Sequence, residues 1–496
     1  MRTYWQRPDA THLTDCGAVQ NMHSPRWFAS LTAAAAASLN AGCDMNSATI
    51  TPTHLAEALA LGLVNETTVA AAAARVLANR FRVGHFDGLE APGAQALLAL
   101  GAGDIGTPAS RAAAAEGVAQ GLVLVRNSNR TLPLRAGIRL AVLGPQGASQ
   151  AALLGDCYCT GYASLTLLGD ALAAANAGGS TTVLQGVTVL GNHSSWGAAL
   201  AAVGEADAVV LALGTDRSVA GEGSDRGDGI GLPGLQGAFG VAVLRAAAAR
   251  GVPVVLALLH NLPVSFDELV APASAGFKPV DAIVDAWALM GYADELAAAL
   301  FGARNRWGKA TLTVYPAAYA NAVDLFDYSM SRSPGRSYKY YNGSLGAPLI
   351  GFGEGLSYSN FTVACALAPG GGGGGAEVAL NCSVALAGGP PGEEVLMVYH
   401  RPSAATVAAV NGAHPLPLRA LVGFERVAVA PGAPASVGFA IPLAEALGFV
   451  NAQGATVLYP GLHYVDVSNG AGANVTLSVI VPGESATVVR APPLPR

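Results

Sequence analysis

Two acidic positions in the chain have the residue type and the surroundings that nucleophilic or acid–base chemistry needs. The first, Asp15, lies in the segment TDCGA, directly after a short strand-like stretch. Barrel enzymes carry their catalytic carboxylates at the carboxyl ends of strands. An ordinary turn or helix-cap aspartate has the same local sequence, so both interpretations stay open for Asp15.

The second position is Glu222, in the Gly-rich loop GTDRSVAGEGSDRGDGIGLPGLQ that follows the apolar run AVVLALG. If that run is a strand, the loop lies at the carboxyl edge of a sheet, where open α/β sheets bind their ligands. The loop also contains Asp216, Asp225 and Asp228. A solvated acidic loop in which Arg226 pairs with Asp225 is the alternative interpretation.

Several other chemistries lack their motifs. The chain contains no GxxxxGK[ST] phosphate loop, no HExxH zinc motif and no GxSxG nucleophile elbow. The segment AVLGPQGAS lacks the GxGxxG spacing of dinucleotide-binding turns. His260 follows an apolar run and is interpreted as a structural histidine. We therefore expect no cofactor and no metal, and a nucleotide-binding function is disfavoured.

Region 113–316 must position Glu222, and its pattern is that of a mainly parallel sheet covered by helices. Continuous apolar runs alternate there with Ala-rich helical segments, which is typical of strands buried on both faces. The runs are LAVLG (140–144), AVVLALG (208–214), VPVVLALL (252–259) and AIVDAWA (282–288), and the helical segments are 149–155, 196–205 and 237–249. We predict an α/β sandwich domain with a mainly parallel sheet.

Asp15 lies in region 1–95, which has a mixed α/β pattern. We predict a strand end at HLTDC and an Ala-rich helix over 27–41. One or two further helices are predicted over 55–82, with Thr51 or Thr53 as the N-cap.

The remaining segments predict a linker and a second kind of domain. Residues 96–112 are small and read as a linker, and 317–356 is an irregular connecting segment. Over 357–496, short alternating strands separated by Gly/Pro turns predict an antiparallel β-sandwich. Cys365 and Cys382 flank a glycine-rich turn there, where a hairpin disulfide and two free buried thiols are both compatible with the sequence.

The composition excludes two classes of partner. The 496 residues include 27 Lys and Arg against 33 Asp and Glu, a net charge of −6, and no basic patch that would bind nucleic acid. Hydrophobic residues make up 52%. No window, however, reaches the roughly 18–20 uncharged apolar residues needed to span a bilayer. We expect neither nucleic acid nor membrane as a partner, and the sequence does not fix the oligomeric state.

N-glycosylation sequons favour an exported protein. They begin at Asn65, Asn129, Asn192, Asn342, Asn360, Asn381 and Asn474. The opening residues MRTYWQRPDATHLTD nevertheless lack the apolar segment of a signal peptide.

The order of motifs resembles glycoside hydrolase family 3, within it the plant and fungal β-xylosidase branch. TDCGAV (14–19) resembles the nucleophile motif, with Cys16 where glucosidases usually have Trp, and the loop around Glu222 resembles the acid/base loop. The other similar blocks are AGCDMNS (41–47), RVLANRFRVGHFD (75–87), 104–134, FGARNRWGKATLTVYP (301–316), MSRSPGRSYKYY (330–341), GFGEGLSYSNF (351–361), LRALVGFERVAVAPGA (418–433) and YPGLHYVDVS (459–468).

The resemblance implies a retaining exo-glycosidase that removes terminal β-xylosyl residues from xylan-derived oligosaccharides, with α-L-arabinofuranosyl substrates also open. Asp15 would be the nucleophile, Glu222 the acid/base and Cys16 a substrate contact. A retaining mechanism needs its two carboxyls about 5–5.5 Å apart, which implies a site where the barrel meets the sheet. The resemblance also implies that 1–95 is the C-terminal part of a (β/α)₈ barrel and that 357–496 is a fibronectin type III-like domain.

Departures from the family pattern leave alternatives open. A (β/α)₈ barrel typically has about 250 residues, so we expect the chain to be N-terminally truncated, inactive and prone to aggregate as written. The full-length protein is expected to be extracellular or in the cell wall. Ala220 stands where relatives often have Glu, and Glu354 where an aromatic is usual. A β-glucosidase of the same family, or a non-catalytic remnant, is the alternative function.

Overall fold

A computed structural model describes residues 2–3, 5–23, 27–90, 92–155, 165–191, 195–221, 226–227, 229–270, 276–410, 412–484 and 486–489. The chain divides into two compact units, one ending at Pro108 and the other beginning at Ala109. We describe each unit by itself.

The described residues of the first unit form two short parallel strands and five α-helices. They are β1 (Leu13–Thr14), α1 (Ala18–His23), α2 (Leu31–Asn40), β2 (Met45–Asn46), α3 (Ile50–Ala60), α4 (Glu66–Arg82) and α5 (Pro92–Leu98). β1 pairs with β2 in parallel, with Leu13 opposite Met45 and Thr14 opposite Asn46. The predicted strand end at HLTDC is therefore present.

Two helices of this unit begin where a short polar side chain caps them. The Ser30 hydroxyl accepts a hydrogen bond from Ala33 N at the start of α2, and the Asn65 side chain accepts one from Thr68 N at the start of α4. The prediction that Thr51 or Thr53 is the N-cap of the helix after α2 is wrong, because both residues lie inside that helix, α3. That helix contains Pro in its first turn, where a missing N–H breaks no helical hydrogen bond.

The second unit begins with an α/β domain. Its elements are α6 (Pro108–Gly121), β3 (Val123–Asn127), β4 (Arg139–Leu143), α7 (Ala151–Leu154), α8 (Leu168–Ala175), β5 (Ser180–Leu184), α9 (Trp196–Glu205), β6 (Ala208–Gly214), α10 (Gln236–Ala248), β7 (Val254–Leu259), β8 (Ala282–Asp285) and α11 (Ala293–Leu300). The six-stranded sheet has the order β3-β8-β7-β6-β4-β5. All neighbours are parallel except β3 and β8, so the predicted mainly parallel sheet is confirmed.

Both faces of this sheet are buried, which explains its continuous apolar strands. Along β6, Val210 and Ala212 pack into one core cluster, whereas Val209, Leu211 and Leu213 pack into another. Residues that alternate along a strand point to opposite faces, so the helices cover both sides. The predicted linker 96–112 contains the end of α5 and the start of α6.

The rest of the unit is a short connecting region and a β-sandwich. The elements are α12 (Ser337–Tyr340), β9 (Asn360–Leu367), β10 (Glu377–Gly388), β11 (Gly392–Pro402), α13 (Ala404–Val410), β12 (Ala420–Val429), β13 (Ala435–Pro442), α14 (Leu443–Leu447), β14 (Phe449–Val450), β15 (Thr456–Leu458), β16 (Gly461–Ser468), β17 (Asn474–Val481) and β18 (Ala486–Val489). The two main sheets have the orders β13-β10-β9 and β12-β11-β16-β17. They enclose a common apolar core, as predicted.

A disulfide joins Cys365 on β9 to Cys382 on β10, directly across the strand pair. Of the two alternatives that the sequence left open, the structure contains the hairpin disulfide. Among the described residues, no helix is long and apolar enough to cross a membrane.

A buried ion pair ties the sandwich to the α/β domain. Lys309 Nζ lies 2.8 Å from Glu394 Oε1, and both side chains are almost completely buried. Lys309 also donates to Gly355 O at 2.7 Å, and Glu394 accepts from Asn469 Nδ2 at 3.0 Å. Burial lowers the pKa of Lys309, and the charge and hydrogen bond of Glu394 oppose that shift. Each buried charge thus depends on the other.

Candidate active site

Asp15 lies at the carboxyl end of β1, in the position expected for a barrel carboxylate. Its side chain is exposed, and Oδ1 accepts a hydrogen bond from Cys16 N at 2.8 Å. Gly17 follows with a φ of +70° and turns the chain into α1. Within the described part of the chain, Oδ2 accepts no hydrogen bond, so one carboxylate oxygen is open to a substrate.

Side chains at the ends of the two strands hold this turn in place. Asn46 Nδ2 donates to Thr14 Oγ1 at 2.8 Å, and Ser47 Oγ donates to Thr14 O at 2.6 Å. Cys16 Sγ lies 3.9 Å from Ser47 O. Cys16 is a free, exposed cysteine beside Asp15, so the structure places these two predicted site residues side by side.

The opposite ends of β1 and β2 are held by a buried carboxylate that the sequence analysis did not assign. Asp44 accepts hydrogen bonds from His12 N at 2.9 Å and from Arg75 Nε at 2.9 Å, and it forms a second ion pair with Arg2. Burial by itself raises the pKa of Asp44. The hydrogen bonds from Arg75 and His12 N and the two guanidinium charges outweigh it, and the net pKa is lowered. Asp44 thus stays ionised and fixes the register of the strand pair.

Glu222, Asp225 and Asp228 lie outside the described residues. The described geometry therefore contains one of the two predicted catalytic carboxyls, and it contains the attachment points of the loop that carries the other. Arg226, on the far side of that gap, donates from Nη1 to Gly231 O at 2.7 Å.

Asn261, just beyond β7, anchors the beginning of this loop. Thr215 Oγ1 donates to Asn261 Oδ1 at 2.7 Å, and Asn261 Nδ2 donates to Ala220 O at 2.7 Å. Between these points, buried Asp216 accepts from Ser218 N at 2.8 Å and from Ser218 Oγ at 2.6 Å. Asp216 therefore shapes the loop, and Asn261 holds the chain two residues before Glu222.

Buried Gln236 fixes the point at which the loop leaves β6. Its side chain accepts from Gly214 N and donates to Gly214 O, each at 2.9 Å. Gly214 has a φ of +141°, and a Cβ there would lie 1.8 Å from Leu259 O on the neighbouring strand. Only glycine can end the strand in this way.

His260 and Asp285 form a buried pair at the same edge of the sheet. His260 Nε2 lies 2.5 Å from Asp285 Oδ1, and the ring lies 4.6 Å from that of Trp287 between centroids. Nδ1 has no hydrogen-bond partner among the described residues. The predicted structural histidine is therefore satisfied at one nitrogen only.

Glu354 has a structural role in a turn, and no metal centre accompanies the site in the described residues. Glu354 Oε2 accepts a hydrogen bond from Gly351 N at 2.9 Å, a local turn contact. Over the described ranges, no group of three or more His, Cys, Asp or Glu side chains could hold a metal ion.

Comparison with known proteins shows which family has this arrangement. Residues 122–358 match the glycosyl hydrolase family 3 C-terminal domain, and residues 394–471 match a fibronectin type III-like domain. The fold superposes on a GH3 exo-beta-xylosidase (XlnD) in complex with a xylobiose aziridine activity-based probe. That likeness has a TM-score of 0.83 and 25% identity, and it covers 99% of this chain and 64% of that one. The chain therefore contains a glycoside hydrolase family 3 C-terminal domain.

The relatives within this family are β-xylosidases and β-glucosidases. Probable exo-1,4-beta-xylosidase bxlB of Aspergillus fumigatus is 29% identical over 99% of this chain and 63% of its own length. Beta-D-xylosidase 1 of Arabidopsis thaliana is 33% identical over 72% of this chain and 45% of its own length. The beta-glucosidase from Listeria innocua in complex with glucose has a TM-score of 0.77 and 26% identity, covering 96% of this chain and 63% of that one. The chain thus spans less than two thirds of these relatives.

Proposed function

We propose that the chain is part of a retaining exo-β-xylosidase that removes terminal xylosyl residues from xylan-derived oligosaccharides. The observation that carries the proposal is the position of Asp15, at the end of a strand paired in parallel. The chain that contains it is similar along 99% of its length to proteins named exo-1,4-beta-xylosidase. The ligand of the XlnD structure, a xylobiose aziridine activity-based probe, supports a xylose-configured substrate.

In this proposal Asp15 attacks the anomeric carbon and forms a glycosyl-enzyme. The oxygen available for attack is Oδ2, because Oδ1 already accepts a hydrogen bond from Cys16 N. That bond also fixes the plane of the carboxylate. The exposed side chain needs no local unfolding to reach a substrate.

Glu222 is proposed as the acid/base. It first protonates the departing oxygen and then activates the water that hydrolyses the intermediate. Two contacts that fix the chain leading to it support this role: Asn261 donates to Ala220 O, and Gln236 bonds both backbone groups of Gly214. Holding the start of the loop lowers the entropic cost of positioning the acid in each catalytic cycle, as proximity effects require.

Cys16 is proposed as a substrate contact that favours a pentose. A cysteine side chain leaves more room beside Asp15 than the Trp that the family resemblance associates with glucosidases. The likeness to the Listeria innocua beta-glucosidase keeps β-glucosidase as the second candidate. Comparing aryl xyloside with aryl glucoside hydrolysis separates the two.

The proposed organisation keeps the boundaries from the sequence: a barrel part in 1–95, a linker in 96–112, the α/β sandwich in 113–316, a connecting segment in 317–356 and a fibronectin type III-like domain in 357–496. The parallel β1–β2 pair supports the barrel interpretation. We propose no cofactor, because two carboxyls suffice for the chemistry.

Export to an oxidising compartment is also part of the proposal. Two observations support it: the Cys365–Cys382 disulfide and the sequons. Each sequon asparagine within the described residues is exposed, namely Asn65, Asn129, Asn342, Asn360, Asn381 and Asn474.

The decisive experiment compares leaving groups in a Glu222→Ala variant, prepared both in the chain as printed and with any coding sequence that precedes Met1. Loss of a general acid typically costs about 10²–10⁴-fold. An aryl xyloside with an acidic phenol should lose less than xylobiose in the first step. Added azide should then restore turnover and give a β-xylosyl azide, because azide attacks without a base.

Asp225→Ala is the matched control in the same loop. It should slow both substrates equally and show no azide rescue. Rescue at Asp225 with none at Glu222 would overturn the assignment. An unmodified protein that hydrolyses neither xylosides nor glucosides in either preparation would favour the non-catalytic alternative.

A further inference from the structure

One N-glycosylation sequon contains a cysteine of the disulfide as its middle residue. Asn381, Cys382 and Ser383 are consecutive residues of β10, and their side chains alternate between the two faces of the sheet. Cys382 points inward and bonds Cys365, whereas Asn381 points outward and is exposed. The folded strand therefore leaves the asparagine amide in solvent.

The surface around Asn381 is open because its neighbours are small. Asn381 lies opposite Gly438 on one adjacent strand and Ala366 on the other. A shallow groove of about 620 Å³ runs over this face, lined by Asn381 together with residues such as Ala364, Ser383 and Ser436. No bulky side chain among these lining residues competes with a group attached to Nδ2.

We propose that Asn381 carries an N-linked glycan whose first sugars lie over this groove, and that the glycan is added before β10 pairs and the disulfide closes. The exposed amide and the small neighbours give the sugar its place. The order follows from the backbone, because β10 is the middle strand and its N–H and C=O groups bond to β13 and β9. A transferase that must bind the sequon as a peptide finds no free backbone there after folding.

The chemistry uses a lipid-diphosphate-linked oligosaccharide as co-substrate. Asn381 Nδ2 bonds to the anomeric carbon of the first sugar and loses one proton. The bond from that carbon to the diphosphate breaks, and its electron pair leaves with the diphosphate. Separately, the thiols of Cys365 and Cys382 lose two protons and two electrons to the disulfide of a thiol oxidoreductase.

Asn342 provides an internal comparison. It is exposed in a loop, and its side-chain contacts are local ones to Ser344 N at 2.9 Å and Ser333 Oγ at 3.3 Å. No strand pairing involves it. Folding should therefore change the reactivity of Asn342 far less than that of Asn381.

In the first experiment the chain is secreted from yeast. Its peptides are enzymatically deglycosylated in ¹⁸O-water, and mass spectrometry measures the fraction of each asparagine that carried a glycan. We expect a glycan at Asn381 that disappears in Asn381→Gln and in Ser383→Ala. Total cellular protein is analysed as well as secreted protein, so a variant that folds poorly is still scored. Absence of the glycan from Asn381 in both fractions would overturn the proposal.

The second experiment tests the order of events. Chain made without glycans is incubated with purified oligosaccharyltransferase and a lipid-linked oligosaccharide, either native and oxidised or reduced and unfolded. We expect at least a tenfold higher rate at Asn381 in the unfolded chain, and a much smaller ratio at Asn342. Cys365→Ser, which opens the disulfide and leaves the sequon intact, should fall between these states. Equal rates at Asn381 in native and unfolded chain would refute the order. This test does not depend on glycosidase activity.

Discussion

Replacing Asn261 by alanine tests whether this side chain holds the loop that leads to the proposed acid/base. The change removes two side-chain hydrogen bonds, one from Thr215 Oγ1 and one to Ala220 O, both at 2.7 Å. A neutral hydrogen bond contributes about 1 kcal/mol net, so the loop should open about 2 kcal/mol more easily. At about 1.4 kcal/mol per factor of ten, that is roughly a 30-fold rise in the open population.

Hydrogen exchange of the loop amides measures this directly. Ser218 N bonds Asp216 Oδ1 at 2.8 Å, and Val219 N bonds Asp216 O at 3.0 Å. Both amides should lose protection by about 30-fold in Asn261→Ala, since exchange follows local opening. Asn261→Asp should behave similarly, because it keeps the acceptor for Thr215 but turns an oxygen towards the Ala220 carbonyl.

Asn176→Ala is the matched control at the opposite edge of the same sheet. Asn176 Oδ1 accepts from Gly137 N at 3.0 Å and from Ile138 N at 3.1 Å, just before β4. This variant should lower global stability without selectively exposing the Ser218 and Val219 amides. Unchanged protection in Asn261→Ala, or an equal selective loss in Asn176→Ala, would refute the anchoring role.

Two predictions concern stability. His400 and His463 lie buried with Nε2 and Nδ1 2.9 Å apart, and burial, then the charge of His463, lowers the pKa of His400 from 6.5 to about 3. Below pH 6.5 the unfolded chain protonates His400, whereas the folded chain does not until about pH 3. The free energy of unfolding should therefore decrease by about 1.4 kcal/mol for each unit by which the pH is lowered from 6.5 towards 3. Urea unfolding should show a shallower slope in His400→Gln, and an unchanged slope would contradict this. Glu394→Ala should cost about 3–5 kcal/mol because it leaves the Lys309 charge buried alone. Urea unfolding of Lys309→Met/Glu394→Leu should recover most of that loss, and no recovery would show that the pair is not the cause.

The strands that could be predicted are those whose burial produces a continuous apolar run in the sequence. β6 and β7 are buried on both faces, and their continuous apolar runs predicted them. β5, with the sequence STTVL, is a half-exposed strand at the edge of the sheet. Its polar residues hid it, because an edge strand needs no apolar face towards solvent.

The site was predictable only as far as local sequence defines it. Asp15 follows a strand end and was proposed from that position, whereas Cys16 was proposed only from the family resemblance. Asn261 was missed because its partner Thr215 is 46 residues away, and only the parallel pairing of β6 with β7 brings the two together. The sequence did contain a signal for Asn261. It follows a predicted parallel strand, and the carboxyl ends of parallel strands lie at the same edge of the sheet.

The central claim is that Asp15 is the nucleophile of a β-xylosidase, and covalent labelling tests it most directly. The protein, prepared with any coding sequence that precedes Met1, is incubated with a xylose-configured aziridine, which a retaining nucleophile opens to form a stable ester. The labelled peptide is then sequenced by mass spectrometry. We predict a single label on Asp15 that is lost in Asp15→Asn and retained in Asp9→Asn, which changes a partly exposed aspartate nearby in sequence that pairs with Arg7 and Arg82. A protein that hydrolyses aryl xylosides but carries the label on another carboxylate would contradict the account.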